Sequence, residues 1–246
     1  MRRGRATRRA VLLLLSALAV VGLAHGQAGS TPQRWLLAEG STEWVFDLFV
    51  MVGNPNAAPV DARVTFLRPP LNTDSGPVSQ TPIVRTYPMA ATSRLTIHVN
   101  EVEGLGSTAV STVVECLVAG TSTPCPDGTG IIAERTMYWP RPGTGESGTW
   151  LAGHNSPGVT AAAKAWYLAE GASGFFDNFI LLANPGTTTA TAQLLFLHID
   201  GTTSSITRQV PGESRVNVWI GHEEGTFDLL NTSFSTVVTS DVDLMV

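Results

Sequence analysis

The chain contains one series of short motifs twice, in the same order. Trp35-Leu-Leu-Ala-Glu-Gly40 returns as Trp166-Tyr-Leu-Ala-Glu-Gly171. Further motifs return in matching order: Asn54-Pro55 as Asn184-Pro185, Phe66-Leu67 as Phe196-Leu197, and Ser93-Arg94 as Ser214-Arg215. Motifs that recur in order over a long interval indicate tandem modules, each of which is one structural unit. The sequence therefore predicts two copies of one module.

Apolar and polar residues alternate over short segments, which is the pattern of half-buried β-strands. In the third segment, for example, Val60, Ala62, Val64 and Phe66 form one apolar face. Seven segments of this kind make up the first module: Trp35–Ala38, Phe46–Gly53, Val60–Leu67, Ile83–Met89, Arg94–Val99, Ser111–Leu117 and Ile131–Trp139. Since seven short strands in roughly 105 residues are typical of a two-sheet sandwich, each module is predicted to have that fold.

The second module keeps apolar residues at the inward positions of the first, with Ala190, Ala192, Leu194 and Phe196 in its third segment. The fold class predicted is all-β: two tandem immunoglobulin-like-sized β-sandwich modules, the second incomplete. The domains predicted are a signal peptide over 1–28, module 1 over 33–140, a linker over 141–164 and module 2 over 165–246.

The last strand of module 2 is predicted to be truncated. Leu244–Val246 align with Ile131–Ala133, but the Glu-Arg-x-Met-Tyr-Trp half of the strand that follows in module 1 has no counterpart. A strand that lacks half of its ladder leaves part of a core uncovered. We therefore expect the sequence to be a fragment of a longer array, and a degenerate final module is the alternative.

The N-terminal segment has the features of a secretory signal peptide. Five arginines, among them Arg8 and Arg9, precede an apolar run over Val11–Ala24 and the small residues Gly26 and Ala28. The run is shorter than the roughly 20 residues that span a bilayer. The protein is thus predicted to be extracellular or at the cell surface. The paired arginines also fit a twin-arginine export signal, and an uncleaved membrane anchor is the alternative.

The charge of the chain argues against nucleic acid as a partner. The sequence has 15 Lys and Arg against 20 Asp and Glu, and the predicted signal peptide holds five of the arginines and no acid. Its removal leaves ten basic and 20 acidic side chains, a net charge of −10. Such a surface disfavours nucleic acid and anionic lipid. We predict neither a nucleic-acid partner nor membrane insertion after signal cleavage.

The two cysteines, Cys116 and Cys125, are close in sequence. In an oxidising compartment, two neighbouring cysteines most simply form a disulfide. The loop between them is longer than its counterpart in module 2, so the disulfide is predicted to hold an inserted loop; two free thiols are the alternative. A metal site needs about two further ligands, and no additional His or Cys lies nearby, so no metal and no cofactor are predicted.

The recurring motifs resemble those of a family of uncharacterised bacterial extracellular β-repeats, a domain of unknown function. Units of that family open with a WYLAEGST-like motif, carry an Asn-Pro turn and a Ser-Arg strand start, and close with an AERxMYW-like motif. Here these are Trp35–Thr42, Asn54-Pro55, Ser93-Arg94 and Ala133–Trp139, followed by the linker motif Gly153–Thr160. The resemblance covers nearly all of the chain after the signal. It implies secreted or surface-displayed tandem modules and no established activity.

Glutamate and arginine side chains recur at fixed places in the modules. Glu39 matches Glu170 and Arg94 matches Arg215, while Arg135 occurs in module 1 alone. One interpretation is a polar site reused in each module. The alternative, which we favour, is structural: a carboxylate at a strand end pairs with an arginine and with backbone amides.

Three tryptophans outside the expected core are candidates for a ligand platform, because an indole ring stacks well on a sugar ring. They are Trp44, Trp150 and Trp219, the last at the outward position that His98 holds in module 1. Packing under loops or at the module boundary is the alternative. The partners predicted are a cell-surface glycan or another surface protein.

Enzymatic activity is the least supported function. A Ser–His pair at His154 and Ser156 would need a third, orienting acid and an oxyanion site; no G-x-S-x-G motif occurs, and His198 and His222 are isolated. The sequence favours a non-enzymatic, secreted structural or adhesive repeat protein, with no catalytic residue. A pair of carbohydrate-binding modules is the second hypothesis and an extracellular hydrolase the last.

Overall fold

The computed structural model describes residues 32–140, 150, 152–174 and 176–246. The predicted signal peptide lies outside these residues. The described chain is all-β, as predicted, and its sheets are antiparallel. It contains two sandwich-like modules that follow one another along the chain.

Module 1 has two four-stranded sheets and a small hairpin. The first sheet has the order β1-β8-β3-β6, the second β10-β9-β2-β7, and β4 pairs with β5. The strands are β1 (Arg34–Leu37), β2 (Asp47–Asn54), β3 (Val60–Leu67), β4 (Leu71–Thr73), β5 (Gly76–Val78), β6 (Ile83–Met89), β7 (Ser93–His98), β8 (Ser111–Val118), β9 (Ile132–Trp139) and β10 (Ala152–Pro157). A 3-10 turn covers Val99–Glu101.

Module 2 has one four-stranded and one two-stranded sheet. The orders are β11-β16-β13-β14 and β12-β15. The strands are β11 (Ala163–Ala172), β12 (Phe179–Asn184), β13 (Ala190–His198), β14 (Thr203–Val210), β15 (Ser214–Trp219) and β16 (Ser233–Leu244), with a 3-10 turn over Phe227–Leu229. Beside β12, Met245 forms an isolated antiparallel bridge with Ala183. In module 1, the corresponding pair is Gly53 with Ile132, where β9 begins beside β2.

Each module has its own core, formed by the inward residues of its two sheets. In module 1, Ala62, Val64 and Phe66 of β3 are fully buried, and in module 2 Leu194 and Phe196 of β13 are fully buried. Alternation of apolar and polar residues along these strands directs one row of side chains into the space between the sheets. Burial of this apolar surface is the main stabilising contribution to each sandwich.

The recurring motifs make similar hydrogen bonds in both modules. The Trp35 indole donates from Nε1 to the Ile131 carbonyl oxygen at 2.6 Å, and Trp166 donates in the same way to Leu244 at 3.0 Å. The buried Asn54 side chain donates to the Ala58 and Ala90 carbonyls, at 3.0 and 2.8 Å. Asn184 donates to Thr188 and Val210 at 2.8 and 3.0 Å. These motifs therefore satisfy buried backbone groups at strand ends.

All seven strands predicted for module 1 are confirmed, with ends that differ by at most one residue. The sequence did not reveal β4 and β5, which form a hairpin inside the proline-rich loop after β3, or β10. The predicted linker therefore contains a strand of the second sheet of module 1 and the start of β11. Neither segment has the apolar alternation of a half-buried strand, because β4, β5 and β10 are largely exposed.

Cys116 and Cys125 form a disulfide with their Cα atoms 5.4 Å apart. It joins the inner part of β8 to the loop that follows, and Cys125 donates its amide to the Cys116 carbonyl oxygen at 2.9 Å. A disulfide of this kind is compatible with an oxidising, extracellular environment. No helix in the described part of the chain is long and apolar enough to cross a membrane.

Candidate functional site

The contact between the two modules contains a small apolar cluster. Module 1 contributes Leu36, Leu67 and Val113, all buried, and module 2 contributes Ala183 and Met245. These residues lie outside the two module cores. The modules therefore bury apolar surface against each other, which opposes their separation in water.

A buried arginine of module 2 crosses this contact. Arg215 is 1% exposed and donates from Nη1 to the Gly40 carbonyl oxygen of module 1 at 2.8 Å; its Nη2 bonds to Asn217. Burial lowers the pKa of Arg215 to about 10, although attraction to the Glu43 carboxylate acts in the opposite direction and raises it. The guanidinium is thus charged at neutral pH in a site that disfavours charge. Gly40 is close-packed, since a Cβ atom there would lie 2.7 Å from the Val110 carbonyl oxygen.

The segments on either side of the contact also join the modules. Leu36 and Val159 exchange two backbone hydrogen bonds, of 2.7 and 2.9 Å, so the chain after β10 is bound to β1. The hairpin loop reaches module 2 through Ser79, whose hydroxyl donates to the Gly212 carbonyl oxygen at 2.5 Å. The connection is therefore hydrogen-bonded over much of its described length, unlike a freely flexible linker.

Residues from the opening motif, the closing motif and the linker motif meet at a second polar cluster, within module 1. The buried Arg135 side chain of β9 forms an ion pair with Glu39, and its Nη2 lies 3.0 Å from Nδ1 of His154 in β10. Burial lowers the pKa of Arg135 to about 10, and burial and the Arg135 charge lower the pKa of His154. Burial and the Arg135 charge thus both disfavour the charged form of His154. Its geometry fits a structural polar pair that fixes β1, β9 and β10 together.

The other two predicted polar residues are in different surroundings. Arg94 and Glu170 are exposed, and neither forms an ion pair within the described residues. Glu170 lies where the register between β11 and β16 shifts. Arg94 and Arg215 begin equivalent strands, yet only Arg215 is covered by the other module. The matched arginines therefore have different roles.

An aromatic patch lies on the outer face of the second sheet of module 1. The rings of Tyr138 and Trp150 are stacked, with centroids 4.7 Å apart, and Phe49 stacks on His98 at 4.5 Å. Asp47 accepts hydrogen bonds from Trp150 Nε1 at 2.5 Å and from His98 Nε2 at 3.3 Å. The Trp150 side chain is half exposed, so part of its ring is open to a ligand.

The corresponding patch of module 2 surrounds Trp219. Its ring is stacked with Phe179 at 5.5 Å and with His222 at 4.0 Å, and its Nε1 donates to Asp177 at 3.2 Å. Two stacked neighbours leave less ring surface for a ligand than Trp150 offers. Trp44 is separate from both patches: it is almost fully exposed in the turn before β2, with φ of 56°. The sequence indicated these tryptophans as candidates but not the aspartate and phenylalanine beside them. Asp47 and Phe49 match Asp177 and Phe179 once β2 and β12 are aligned.

The described residues contain no group of three or more His, Cys, Asp or Glu side chains arranged to hold a metal ion. A shallow open depression lies between β14 and the loop after β15. It contains the Arg208–Glu223 ion pair of 3.1 Å and the Glu224 carbonyl group. These groups are bonded to each other, which is typical of a solvated structural pair.

Comparison with known proteins does not extend these observations. No protein-family model and no curated protein matches the chain significantly. Among solved structures, the crystal structure of Thermotoga maritima 1070 aligns with 52% of this chain and 94% of that one, at 12% sequence identity and a TM-score of 0.37. Similarity at that level carries no argument about function.

Proposed function

We propose that the protein is a secreted or surface-displayed, non-enzymatic repeat protein, with a structural or adhesive role, whose modules are held in a fixed orientation. The observation that carries the proposal is the buried contact between the modules, with Arg215 at its centre. A chain that only had to connect two independent binding modules would not need to bury an arginine between them. A protein that spaces or displays a surface needs the orientation to be fixed.

Three further features support the same function. The contact combines apolar burial at Leu67 and Met245 with strand pairing at Val159 and a hydrogen bond from Ser79. The disulfide suits an extracellular environment. The resemblance of the recurring motifs to bacterial extracellular β-repeats points to the same location.

The fixed orientation is tested by small-angle X-ray scattering of the chain and of Met245→Asp. A carboxylate at this buried position is strongly disfavoured unless the contact opens. We expect the radius of gyration and the maximum dimension to increase in this variant. Ile132→Asp is the matched control, because Ile132 is the equivalent residue of module 1 and is 45% exposed. Equal scattering from the chain and Met245→Asp, with both modules folded, would contradict the proposal.

A second candidate function is carbohydrate binding by the aromatic patch of module 1. The specific observation in its favour is Trp150, which has a partly open ring beside the Asp47 carboxylate. An aromatic face next to a hydrogen-bond acceptor suits the apolar face and hydroxyl groups of a pyranose. A glycan array tests it: binding that Trp150→Ala abolishes and Trp44→Ala preserves would establish the site. Absence of binding, or equal loss in both variants, would refute it.

A further inference from the structure

Two surfaces of the molecule correspond to the two halves of the contact between the modules, and both are open. The contact has a module 1 side, formed by Leu36, Leu67 and Val113, and a module 2 side, formed by Ala183 and Met245 with Arg215. The strand registers relate each side to a matching surface on the other module. Equivalent surfaces that lack a covering partner are candidates for an intermolecular contact.

The distal face is the module 2 counterpart of the module 1 side. Leu36 of β1 lies opposite Val113 of β8, and Tyr167 of β11 lies opposite Val237 of β16 in the same register. Leu197 follows Phe196 as Leu67 follows Phe66. We name Tyr167, Leu197 and Val237 the distal face. Tyr167 is 77% and Leu197 39% exposed, whereas their module 1 counterparts are 1% and 2% exposed.

The proximal face is the module 1 counterpart of the module 2 side. Ala183 and Met245 correspond to Gly53 and Ile132, and Arg215 corresponds to Arg94. We name Gly53, Arg94 and Ile132 the proximal face. Ile132 is 45% exposed whereas Met245 is fully buried, and Arg94 is exposed.

We propose that the distal face of one molecule binds the proximal face of a second copy of this chain, in the manner of the contact between modules 1 and 2. Arg94 of the second copy then donates to the Gly171 carbonyl oxygen, as Arg215 donates to Gly40, and Ile132 packs against Tyr167 and Leu197. The two faces differ, so the contact is heterologous, and a dimer keeps one free distal face and one free proximal face. Further copies add at both ends and form a linear array.

The intermolecular contact is weaker than the one within the chain. The Ser79 hairpin has no counterpart in module 2, where a tight turn joins β13 and β14. The chain that links the modules also makes their contact intramolecular, an advantage that separate molecules lack. We therefore expect weak, concentration-dependent self-association rather than a permanent oligomer.

Sedimentation velocity over a concentration series, up to about 1 mM, tests the inference. The sedimentation coefficient of the chain is expected to increase with concentration. Tyr167→Glu blocks the distal face and Arg94→Glu with Ile132→Asp blocks the proximal face, so each variant alone stays monomeric. Arg85→Glu is the matched control for Arg94→Glu: it makes the charge change of that substitution at an exposed arginine outside both faces, and it associates as the unchanged chain does.

Mixing the two blocked variants distinguishes this geometry from others. Each retains the face that the other lacks, so an equimolar mixture forms a one-to-one dimer and nothing larger. A chain that stays monomeric throughout the series, a blocked variant that still associates, or a mixture without dimers overturns the inference. The inference rests on the proposed docked arrangement, whose scattering test at high dilution is independent of self-association, so the two can fail separately.

Discussion

Replacement of Arg215 provides a quantitative test of the module contact. In Arg215→Ala, the two CH₂ groups beyond Cβ are lost, and at about 1.2 kcal/mol each with the cavity included this destabilises the fold by about 2.4 kcal/mol. Loss of the charged hydrogen bond to Gly40 adds about 1.5–3 kcal/mol. Burial lowers the pKa of Arg215 to about 10, and at 1.36 kcal/mol per pKa unit removal of the buried charge returns about 3 kcal/mol. The expected net loss of stability is about 1–2 kcal/mol.

Arg215→Met should behave differently, because methionine retains most of the stem and removes the charge. The loss of the hydrogen bond to Gly40 is offset because the buried guanidinium charge is also removed. The free energy of unfolding is therefore expected to be unchanged or to rise by up to about 2 kcal/mol. Arg94→Ala, at the exposed equivalent, should change stability by less than about 0.5 kcal/mol. Urea denaturation followed by tryptophan fluorescence measures all three variants.

The reasoning is refuted if two variants lose the same free energy of unfolding in either of two comparisons. If Arg94→Ala destabilises the chain as much as Arg215→Ala, the module contact contributes nothing specific. If Arg215→Met is as destabilising as Arg215→Ala, the buried charge does not destabilise the fold.

The contribution of Arg215 to stability also depends on pH. The folded pKa of Arg215 lies below the unfolded one, so the unfolded chain binds more protons above about pH 10, and this arginine's contribution to stability rises with pH there.

Other parts of the fold give independent predictions. Asn184→Ala should lower the stability of module 2 by about 3 kcal/mol, since it leaves two buried carbonyl groups without their donor; near-native thermal unfolding would contradict this. Reduction of Cys116–Cys125, which closes a loop of sequence separation 9, should cost about 2.5 kcal/mol in calorimetry, and an unchanged transition would show that the loop needs no disulfide. Thr92→Gly should stabilise the chain by about 0.5–1 kcal/mol, because Thr92 has a φ of 47°; a lower melting temperature would refute that reason.

Local pattern accounts for what the sequence predicted about the fold. The alternation in Val60–Leu67 is decided by residues within one strand, and β3 has the predicted bounds. The strands β4, β5 and β10 were missed because their pairing is held by backbone hydrogen bonds of largely exposed residues. No hydrophobic pattern marks such strands.

The candidate site depends on long-range contacts, which limits prediction from sequence. Glu39, Arg135 and His154 were each singled out, but their meeting depends on the pairing of β9 with β10. Arg94 and Arg215 look alike in sequence and differ because only one is covered by the neighbouring module. The aromatic patches were missed in part because Phe49 and Phe179 read as ordinary strand residues until their cross-strand neighbours His98 and Trp219 are known.

The central claim is that the two modules hold one orientation relative to each other. Residual dipolar couplings of backbone amides in a weakly aligned sample test it most directly. A rigid pair of modules aligns as one body. The couplings of residues 32–140 and those of residues 176–246 are therefore predicted to fit a single alignment tensor when the two modules are placed as in the structure. Two tensors of clearly different magnitude or direction would mean that the modules move independently, and would contradict the account.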